Sequence, residues 1–508
     1  MKRFQKRFKD RIAGIVAGPD RLLFRGTLRS ISHIEGLEKF LSASGILYKD
    51  FGRFTQSVTG ELCQAAESWA QRQGRPYEYL QSAKRSKEEY ALAVARQNGI
   101  EEGLICVLAC TERCQSFRIR KNREKKKLEV VPHRGQCKHL YFYFLDREFG
   151  LMHVRLQTWI PFTIQVCLNG REWLGRQMRA RGIKHQQQDN CFTQIADVEE
   201  AQELMDRLPL RRWVARFNAW ARRANPWLRS EQGQRLKPYY WSTRESEYAT
   251  DVIFRPGELQ KIYPLMVRHA IDQFGCCNVL RFLGKRRPAQ CRSEVRSHWG
   301  EGPDGVRVKH WVEENSIKMY DKKGSVLRVE TTINNSRCFN VRRRNKTGQW
   351  VWMRLRKGVA DFRRSMRICH AANGRYLNAL AAVTEPQPSC RVLDVVSQPA
   401  WRGKRRYRAL RPVTPDEARR LQALADEETL LEGVRNRDLR HLWGAPSADP
   451  LQRRALAARV SRWLAMVVTH GLLYRIRGTN RYRLTGTGHQ MIAAVRAARQ
   501  ADLAQRAA

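Results

Sequence analysis

The spacing of apolar residues predicts helices over the first part of the chain. Apolar side chains recur every three or four positions from Ser57 to Gln73, from Lys84 to Asn98 and in the run Ile34-Glu-Gly-Leu-Glu-Lys-Phe-Leu. This period gathers the apolar side chains on one face of a helix, which then packs on a core. We therefore expect residues 1–113 to form a helical N-terminal region.

A period of two begins near Cys114 and predicts a β-meander. β-branched and aromatic residues dominate five segments, and turn residues such as Asn169-Gly170 separate them. The expected strands cover residues 115–121, 127–132, 139–145, 151–159 and 162–168. A helix, a strand and a helix should follow over residues 171–181, 190–196 and 197–208. We expect 114–260 to be an α+β domain that closes with the order β-β-β-α-β-α.

Mixed patterns between 261 and 384 predict a further α+β domain. A helix is expected from Pro264 to Phe274, and strands are expected near residues 305–312, 316–320 and 325–334. Residues 385–413 are rich in proline and basic side chains, which is typical of a linker.

The last part of the chain, 414–508, carries the clearest local signals. Thr414-Pro415-Asp416-Glu417 and Asp449-Pro450 are typical helix starts, in which proline follows a capping residue. Three helices and a hairpin are expected, over residues 417–434, 436–442, 450–470 and 472–484. This order is that of a winged helix-turn-helix domain, whose third helix enters the major groove of DNA.

The faces of these elements indicate which side chains would meet DNA. At 100° per residue, the third helix turns its apolar residues to one side and Arg454, Ser461 and Arg462 to the other. In the hairpin, a period of two puts four arginines on one face: Arg475, Arg477, Arg481 and Arg483. We expect these residues to bind double-stranded DNA.

The whole pattern predicts an α+β multidomain protein with a helical N-terminal region, a basic β-meander core and a C-terminal winged helix-turn-helix. The net charge predicts a polyanionic partner, because 95 Lys and Arg against 49 Asp and Glu give a formal net charge of +46. Such an excess repels itself unless a polyanion neutralises it, and nucleic acid is the usual polyanion. No run of about 18 apolar residues occurs, so we expect no transmembrane helix and no membrane partner.

Basic clusters extend the predicted nucleic-acid surface into the centre of the chain. The tip of the first hairpin carries seven basic residues against the single acidic Glu124: Arg118, Arg120, Lys121, Arg123, Lys125, Lys126 and Lys127. A second cluster is Arg342, Arg343 and Arg344, and a third spans 402–411. Phosphate contacts of this kind give affinity without sequence choice. We expect the central body to hold further DNA or a structured RNA.

The 13 cysteines are odd in number and scattered, which indicates a reducing, cytoplasmic and, with DNA as partner, nucleoid-associated protein. Cys110, Cys114, Cys137 and His139 form the densest group of possible zinc ligands. Their spacing differs from that of a common zinc knuckle, so zinc is not expected. We expect instead small buried thiols, with Cys106, Cys110 and Cys114 on a helix face.

Catalysis, if present, is expected to use carboxylates and a divalent metal ion. The chain lacks a phosphate-binding P-loop motif, a zincin or deaminase spacing and a His-hydrophobic-His motif. Two-metal nuclease chemistry leaves no local motif, because its carboxylates converge from distant positions to hold Mg²⁺ or Mn²⁺. The candidates stand at strand ends or in apolar strands: Asp146, Asp197, Asp251 and Glu330. The element order suits a ribonuclease-H-like fold, a ferredoxin-like fold or a purely binding sheet.

One segment, Lys318-Met-Tyr-Asp-Lys-Lys-Gly-Ser-Val-Leu-Arg-Val-Glu, resembles a stretch of phage and rolling-circle plasmid replication initiators. The resemblance covers about 13 of 508 residues. It implies that Tyr320 attacks a DNA phosphate while a carboxylate such as Glu330 helps to hold a metal ion. The alternative is a basic hairpin in which Glu330 pairs with Arg328 or Lys322.

The chain as a whole is similar to a large set of uncharacterised, often multicopy bacterial proteins that suggest mobile elements. The recurring strings are Asp146-Arg-Glu-Phe-Gly-Leu-Met-His-Val-Arg-Leu-Gln-Thr-Trp, Gln165-Val-Cys-Leu-Asn-Gly-Arg-Glu-Trp-Leu and Gly433-Val-Arg-Asn-Arg-Asp-Leu. The first hypothesis is therefore a nucleic-acid-binding protein of a mobile element. The alternatives are a metal-dependent nuclease or strand-transfer enzyme, and a non-catalytic ribonucleoprotein scaffold that stacks bases on its aromatic residues.

Overall fold

The computed structural model describes residues 1–81, 86–124, 126–208, 212–284, 294–302, 305–383, 389–425, 433–444 and 448–500. Contacts divide the chain into two compact units, each assembled from separated segments. One unit contains Met1–Ile12, Arg255–Val312 and Ala372–Ala508, and the other contains Ala13–Phe254 and Glu313–Ala371. The mixed α+β, multidomain character expected from the sequence is confirmed. The five consecutive domains stay a prediction.

The described residues form sixteen α-helices. In chain order they are Lys2–Arg7 (α1), Ile34–Ala43 (α2), Phe51–Arg72 (α3), Lys87–Gln97 (α4), Gly170–Ala180 (α5), Val198–Asp206 (α6), Trp213–Ala224 (α7), Glu231–Gln234 (α8), Glu258–Gln273 (α9), Cys276–Phe282 (α10), Phe362–Leu380 (α11), Ser389–Val396 (α12), Pro415–Ala423 (α13), Asn436–Leu439 (α14), Pro450–Thr469 (α15) and Gly486–Gln500 (α16). In the described part of the chain, none of them has the length and apolar character needed to cross a bilayer.

Twenty-one strands lie in the same described ranges. They are Ile12–Pro19 (β1), Arg21–Thr27 (β2), Tyr77–Tyr79 (β3), Gly103–Asn122 (β4), Lys127–Asp146 (β5), Gly150–Gln157 (β6), Ile164–Asn169 (β7), His185–Gln188 (β8), Cys191–Ile195 (β9), Tyr240–Thr243 (β10), Glu247–Phe254 (β11), Val295–Gly302 (β12), Gly305–Val312 (β13), Asn315–Lys322 (β14), Val326–Thr332 (β15), Asn340–Arg344 (β16), Trp350–Arg354 (β17), Ala400–Arg402 (β18), Arg405–Tyr407 (β19), Leu473–Arg475 (β20) and Tyr482–Leu484 (β21).

A seven-stranded sheet with the order β10-β2-β7-β6-β5-β4-β3 is the largest element of the second unit. Its neighbours are antiparallel except for the parallel pair β3 and β4. The expected strands over 151–159 and 162–168 correspond to β6 and β7, where buried and half-buried residues alternate. The core beside the sheet is aromatic and includes Phe24, Phe142, Phe149 and Trp213.

The N-terminal region differs from the expected run of helices, because β1, β2, β3 and half of β4 lie within residues 1–113. The run Leu104 to Ala109 is apolar and buried at every position. Periodicity does not separate such a short apolar run from a helix segment. Cys106, Cys110 and Cys114 are buried as expected, but they lie on a strand and not on a helix.

The meander also differs from the expectation, because the strands expected over 127–132 and 139–145 are one 20-residue strand, β5. Its partner β4 also has 20 residues and pairs with it from Gly103↔Leu145 to Asn122↔Lys127. The two strands form a ribbon whose tip carries the first basic cluster.

Another sheet places β1, β11, β15 and β14 side by side in the second unit. Strand β15 pairs antiparallel with β11 on one side and with β14 on the other. Nearly every residue of β11 and β15 is buried, including charged ones. This register sets Asp251 opposite Arg328, and Lys318 opposite Glu330.

The C-terminal part of the first unit has its own core, built from α13, α15, α16 and the hairpin β20–β21. Leu421, Trp463, Leu464 and Met491 are buried in it. The stretch expected to be a linker contains α12 and the hairpin β18–β19, and its Val396 and Leu410 join this core. Residues 385–388 of that stretch and residues 426–432 of the helix expected over 417–434 lie outside the described ranges.

Candidate nucleic-acid interface

Helix α15 has the two faces that its sequence predicts. Asp449 caps it by accepting a hydrogen bond from the Leu451 amide at 2.9 Å. Val460, Trp463, Leu464 and Val467 are buried. On the other side, the three expected residues Arg454, Ser461 and Arg462 are exposed. Arg453 and Arg459, at other positions around the helix, are exposed as well. Residues 450–469 contain no Asp or Glu, so this face is uniformly basic.

The hairpin β20–β21 follows α15, and its strands have three residues each. Arg475 is exposed, and its guanidinium braces the turn by donating to Thr479 O at 3.0 Å and to Asn480 Oδ1 at 2.7 Å. Arg477 is also exposed, whereas Arg481 and Arg483 are half-buried. The expected single basic face is wrong, because the register pairs Tyr474 with Arg483 and Arg475 with Tyr482, so Arg475 and Arg483 lie on opposite faces of the hairpin.

One residue that precedes α15 in the chain, Val434, pairs with the hairpin as an isolated β-bridge. Val434, between α13 and α14, exchanges two backbone hydrogen bonds with Tyr482, at 2.9 and 2.8 Å. Gly433 makes this approach possible, because it has a φ of +78° and a Cβ there would lie 2.8 Å from the Tyr482 carbonyl oxygen.

The basic tip of the β4–β5 ribbon is exposed as expected at Arg118, Arg120, Lys121, Arg123, Lys126 and Lys127. Arg120 is held by Glu129, at 2.6 Å between guanidinium and carboxylate. Lys125 lies outside the described residues. In the second cluster, Arg342 and Arg344 are exposed, whereas Arg343 pairs with the buried Asp361 at 3.1 Å.

Sequence patterns gave no sign of a basic groove on the seven-stranded sheet. Two hollows of about 1220 and 700 Å³ adjoin each other, because Arg25, Gln115, Thr163 and Arg244 line both. Arginine and lysine side chains outnumber carboxylates along them. Arg25, Arg113 and Arg155 come from β2, β4 and β6, so the strand order of the sheet brings them together.

Arg25 lies where the two hollows meet. Its guanidinium makes no hydrogen bond or ion pair with any described residue, and its Nε is buried. Burial, and next the neighbouring guanidiniums of Arg244 and Arg155, lower the pKa of Arg25. The groove thus holds an unneutralised cation, and an anionic ligand would relieve its repulsion.

Two histidines on the floor of the groove are neutral near pH 7. Burial, and then Arg155, lower the pKa of His139 to about 4. Burial, and then Arg21 and Arg155, lower the pKa of His153 to about 4. Neither adds to the positive charge of the groove, and the half-buried His153 is more accessible than the buried His139.

A buried group of charged side chains occupies the junction of β11 and β15. Arg328 donates to Asp251 at 2.6 and 2.9 Å and to Asp20 at 2.7 Å, while Arg171 lies 3.0 Å from Asp251. None of these four side chains is more than 3% exposed. Burial by itself raises the pKa of Asp251, but Arg171 and Arg328 together outweigh it and hold that pKa below its usual value.

Glu330 and Tyr320, two of the expected catalytic residues, meet beside this group. The Tyr320 hydroxyl donates to Glu330 Oε2 at 3.0 Å, and both side chains are buried. The ion-pair partner of Glu330 is Lys318, at 2.8 Å, rather than the expected Arg328 or Lys322, and Arg328 pairs with Asp20 and Asp251 instead. Lys322 bonds to Asn190. Burial and the Glu330 carboxylate raise the pKa of Tyr320, which keeps its hydroxyl protonated.

The other two expected catalytic residues make ordinary structural contacts. Asp146 Oδ1 accepts from the amides of Glu148 and Phe149 in the β5–β6 turn, at 2.9 and 3.1 Å, and Asp146 also pairs with Arg216. Asp197 caps α6 by accepting from the Glu200 amide at 2.8 Å. Neither shares a contact with Tyr320 or Glu330 among the described residues.

Carboxylates of Asp20, Glu247 and Glu330 converge within 4.8 Å of one another. Oxygen donors of this type suit Mg²⁺ or Mn²⁺. The Lys318 ammonium, however, lies 2.8 Å from the Glu330 carboxylate and 3.4 Å from that of Glu247. The Arg328 guanidinium forms an ion pair with Asp20 at 2.7 Å. A metal ion would have to displace cations that the protein itself supplies.

No protein-family model, curated protein or solved structure is significantly similar to this chain.

Proposed function

We propose that this protein binds nucleic acid and that residues 414–484 are a winged helix-turn-helix that binds duplex DNA. One observation carries the proposal: the order α13, Val434, α14, α15, β20, β21, in which Val434 pairs with the hairpin. A winged helix has this order, with the helix before the hairpin in the major groove. Here that helix is α15, whose outer face is basic.

The charge on α15 supports contact with DNA. Arg454 and Arg462 stand two turns apart on the exposed face, where guanidinium groups reach phosphates or the edges of guanine. Ala458 lies between them and is exposed, so the helix backbone is able to approach a groove wall closely. The exposed Arg475 and Arg477 of the hairpin would meet the flanking phosphates.

The second unit supplies further phosphate contacts in this proposal. The ribbon tip and the groove around Arg25 are both basic, and contacts to phosphate fix a nucleic acid in position without reading its sequence. A role in a mobile element rests on the sequence resemblance, and a nucleoid-associated location rests on the proposed DNA binding.

Substitution of the α15 face tests the proposal. The variant Arg454→Ala/Arg459→Ala/Arg462→Ala should lose at least about tenfold in affinity for a labelled mixed-sequence duplex, measured by fluorescence anisotropy. The control Arg212→Ala/Arg222→Ala/Arg223→Ala removes the same charge from exposed positions on and beside α7. Equal losses in the two variants, or no binding by the unmodified protein at low salt, would reject it. Sequencing the nucleic acid that co-purifies with the protein separates DNA from RNA.

A metal-dependent nuclease is the second candidate, favoured by the convergence of Asp20, Glu247 and Glu330. If it is correct, Mg²⁺ or Mn²⁺ produces cleavage of bound DNA that Glu330→Gln and Glu247→Gln abolish. Asp146→Asn and Asp197→Asn should then retain it, since those residues lie in a turn and a helix cap. Absence of metal-dependent cleavage, or equal loss in all four variants, would exclude this site.

A further inference from the structure

The hairpin β16–β17 has one exposed face of unusual composition. Its register sets Arg342 opposite Trp352 and Arg344 opposite Trp350. Paired residues of an antiparallel hairpin project to the same side, and so do alternate residues along each strand. One face therefore carries Arg342, Arg344, Trp350 and Trp352, with Arg354 at its end. All five side chains are exposed.

The opposite face anchors the hairpin to the second unit. Val341 is buried and packs with Phe339 and Leu355. Arg343 pairs with the buried Asp361 at 3.1 Å. These contacts fix which side of the hairpin faces solvent, because a slip of one residue would expose Val341 and bury charge.

The two tryptophans are exposed at a cost. Trp350 is 55% exposed and Trp352 is 69% exposed, although an indole is among the side chains with most to gain from burial. The guanidinium of Arg344 lies 5.6 Å from the centre of the Trp350 ring, in reach of a cation–π contact that steadies both groups. Residues 340–354 contain five basic residues and no acidic one.

Exposed rings among cations suit a ligand that has both flat rings and negative charge. Unpaired nucleic acid has both, and proteins bind it by stacking bases on aromatic side chains while cations hold the phosphates. Trp350 and Trp352 stand two residues apart, roughly 6.6 Å along the strand. Successive stacked nucleotides in a duplex strand rise only about 3.4 Å, so two neighbouring bases would have to unstack to occupy both rings.

We propose that this face, defined by Arg342, Arg344, Trp350 and Trp352, binds unpaired bases of single-stranded nucleic acid. The inference rests on nucleic acid being the partner of this protein, and it adds a second binding mode beside the duplex contact of α15. Each indole stacks on one base, and the arginines contact the phosphates on either side.

Anisotropy with a labelled 12-nucleotide unpaired strand tests this assignment on the full-length protein. The variant Trp350→Ala/Trp352→Ala should bind the strand at least about tenfold more weakly, since one stacked base contributes roughly fivefold to a hundredfold in affinity. Its affinity for duplex should stay unchanged. Trp350→Phe/Trp352→Phe keeps flat rings and should retain most of the binding. Trp299→Ala removes a comparably exposed tryptophan outside the hairpin and should have no effect.

The outcomes separate this inference from the proposed function. If the unmodified protein binds neither strand nor duplex, the proposed function fails and this inference fails with it. If it binds duplex while single-strand affinity is absent or unaffected by Trp350→Ala/Trp352→Ala, this inference alone is wrong. Vesicles containing phosphatidylserine provide the other arm: tryptophan-dependent vesicle binding without strand binding would assign the face to an anionic lipid surface and overturn the proposal.

Discussion

Arg328 and Asp251 stand opposite each other on neighbouring strands, with 2.6 Å between the guanidinium Nε and the carboxylate Oδ1. Both side chains are buried, and Asp20 and Arg171 extend the pair into a group with two positive and two negative charges. Each of these buried charges is tolerated only because a charge of opposite sign lies beside it, since an isolated ion in an apolar interior is strongly destabilising.

Loss of Arg328 should therefore destabilise the second unit severely. We expect Arg328→Met to lower the free energy of unfolding by about 3–5 kcal/mol, since it leaves two buried carboxylates without their main partner. Urea denaturation followed by circular dichroism measures this. Arg207→Ala, which breaks an exposed pair with Glu203, should change stability by less than about 1 kcal/mol. Similar small changes in both variants would mean that the buried pair is not needed for stability.

Stability should fall as the pH drops from 6.5 to 4. Burial and neighbouring cations lower the pKa of His139 and His153 to about 4 in the folded protein, whereas an unfolded histidine titrates near pH 6.5. Between these values the unfolded chain binds protons that the folded chain does not, so acid favours unfolding. Urea midpoints at pH 7.5, 5.5 and 4.5 should decrease in that order.

A substitution at the half-buried His153 provides the control for this pH dependence. His153→Gln should flatten the decrease, because glutamine does not titrate, whereas His33→Gln at an exposed position should leave it unchanged. A pH profile of His153→Gln identical to that of the unmodified protein would contradict the prediction.

Gly433 should not accept a side chain without a loss of stability. Gly433→Ala imposes a left-handed backbone on a residue with a side chain and brings its Cβ to 2.8 Å from the Tyr482 carbonyl. We expect a loss of about 1–3 kcal/mol in stability and a weaker Val434–Tyr482 pairing. Gly478→Ala is the matched control, because Gly478 has a φ of +75° with nothing near its Cβ position. Hydrogen exchange of the Tyr482 amide should accelerate in the first variant only.

Duplex binding should weaken steeply with salt, and the arginines of α15 should account for part of the slope. Each phosphate contact contributes about −0.9 to the slope of log K against log salt concentration. We expect Arg454→Ala/Arg462→Ala to make the slope less steep by about one to two. Anisotropy titrations between 50 and 200 mM salt measure it. An unchanged slope would show that these side chains do not contact phosphates.

Local signals located some elements with precision. Asp449-Pro450 predicts the start of α15, and the 100° period predicts that Val460 and Trp463 are buried while Arg462 is exposed. Asn169-Gly170, expected as a turn before a helix over 171–181, lies at the start of α5, where Asn169 caps the helix. Such features depend on residues near one another in sequence, because helix caps and faces are set within a few residues.

These local signals do not predict contacts between residues that are far apart in the sequence. Residues 103–113 form a strand rather than a helix, because tertiary pairing with β5 decides the structure of a continuous apolar run. The sequence pointed to Glu330, Tyr320 and Asp251 as unusual but could not bring Asp20 and Arg171 to them. The exposure of Trp350 and Trp352 was also unpredicted, since an alternating strand does not state which face meets the core.

The sequence by itself determined the excess of positive charge, the mixed α+β character and the basic face of α15, because composition and local periodicity carry them. The tertiary structure alone decided where charges meet: Arg25 beside Arg155 and Arg244 in a groove, and Arg328 between Asp20 and Asp251. Those residues come from segments far apart in the chain, in strands or directly beside them, and their proximity depends on strand order and register. Backbone pairing between distant segments sets both, and no short stretch of sequence encodes it.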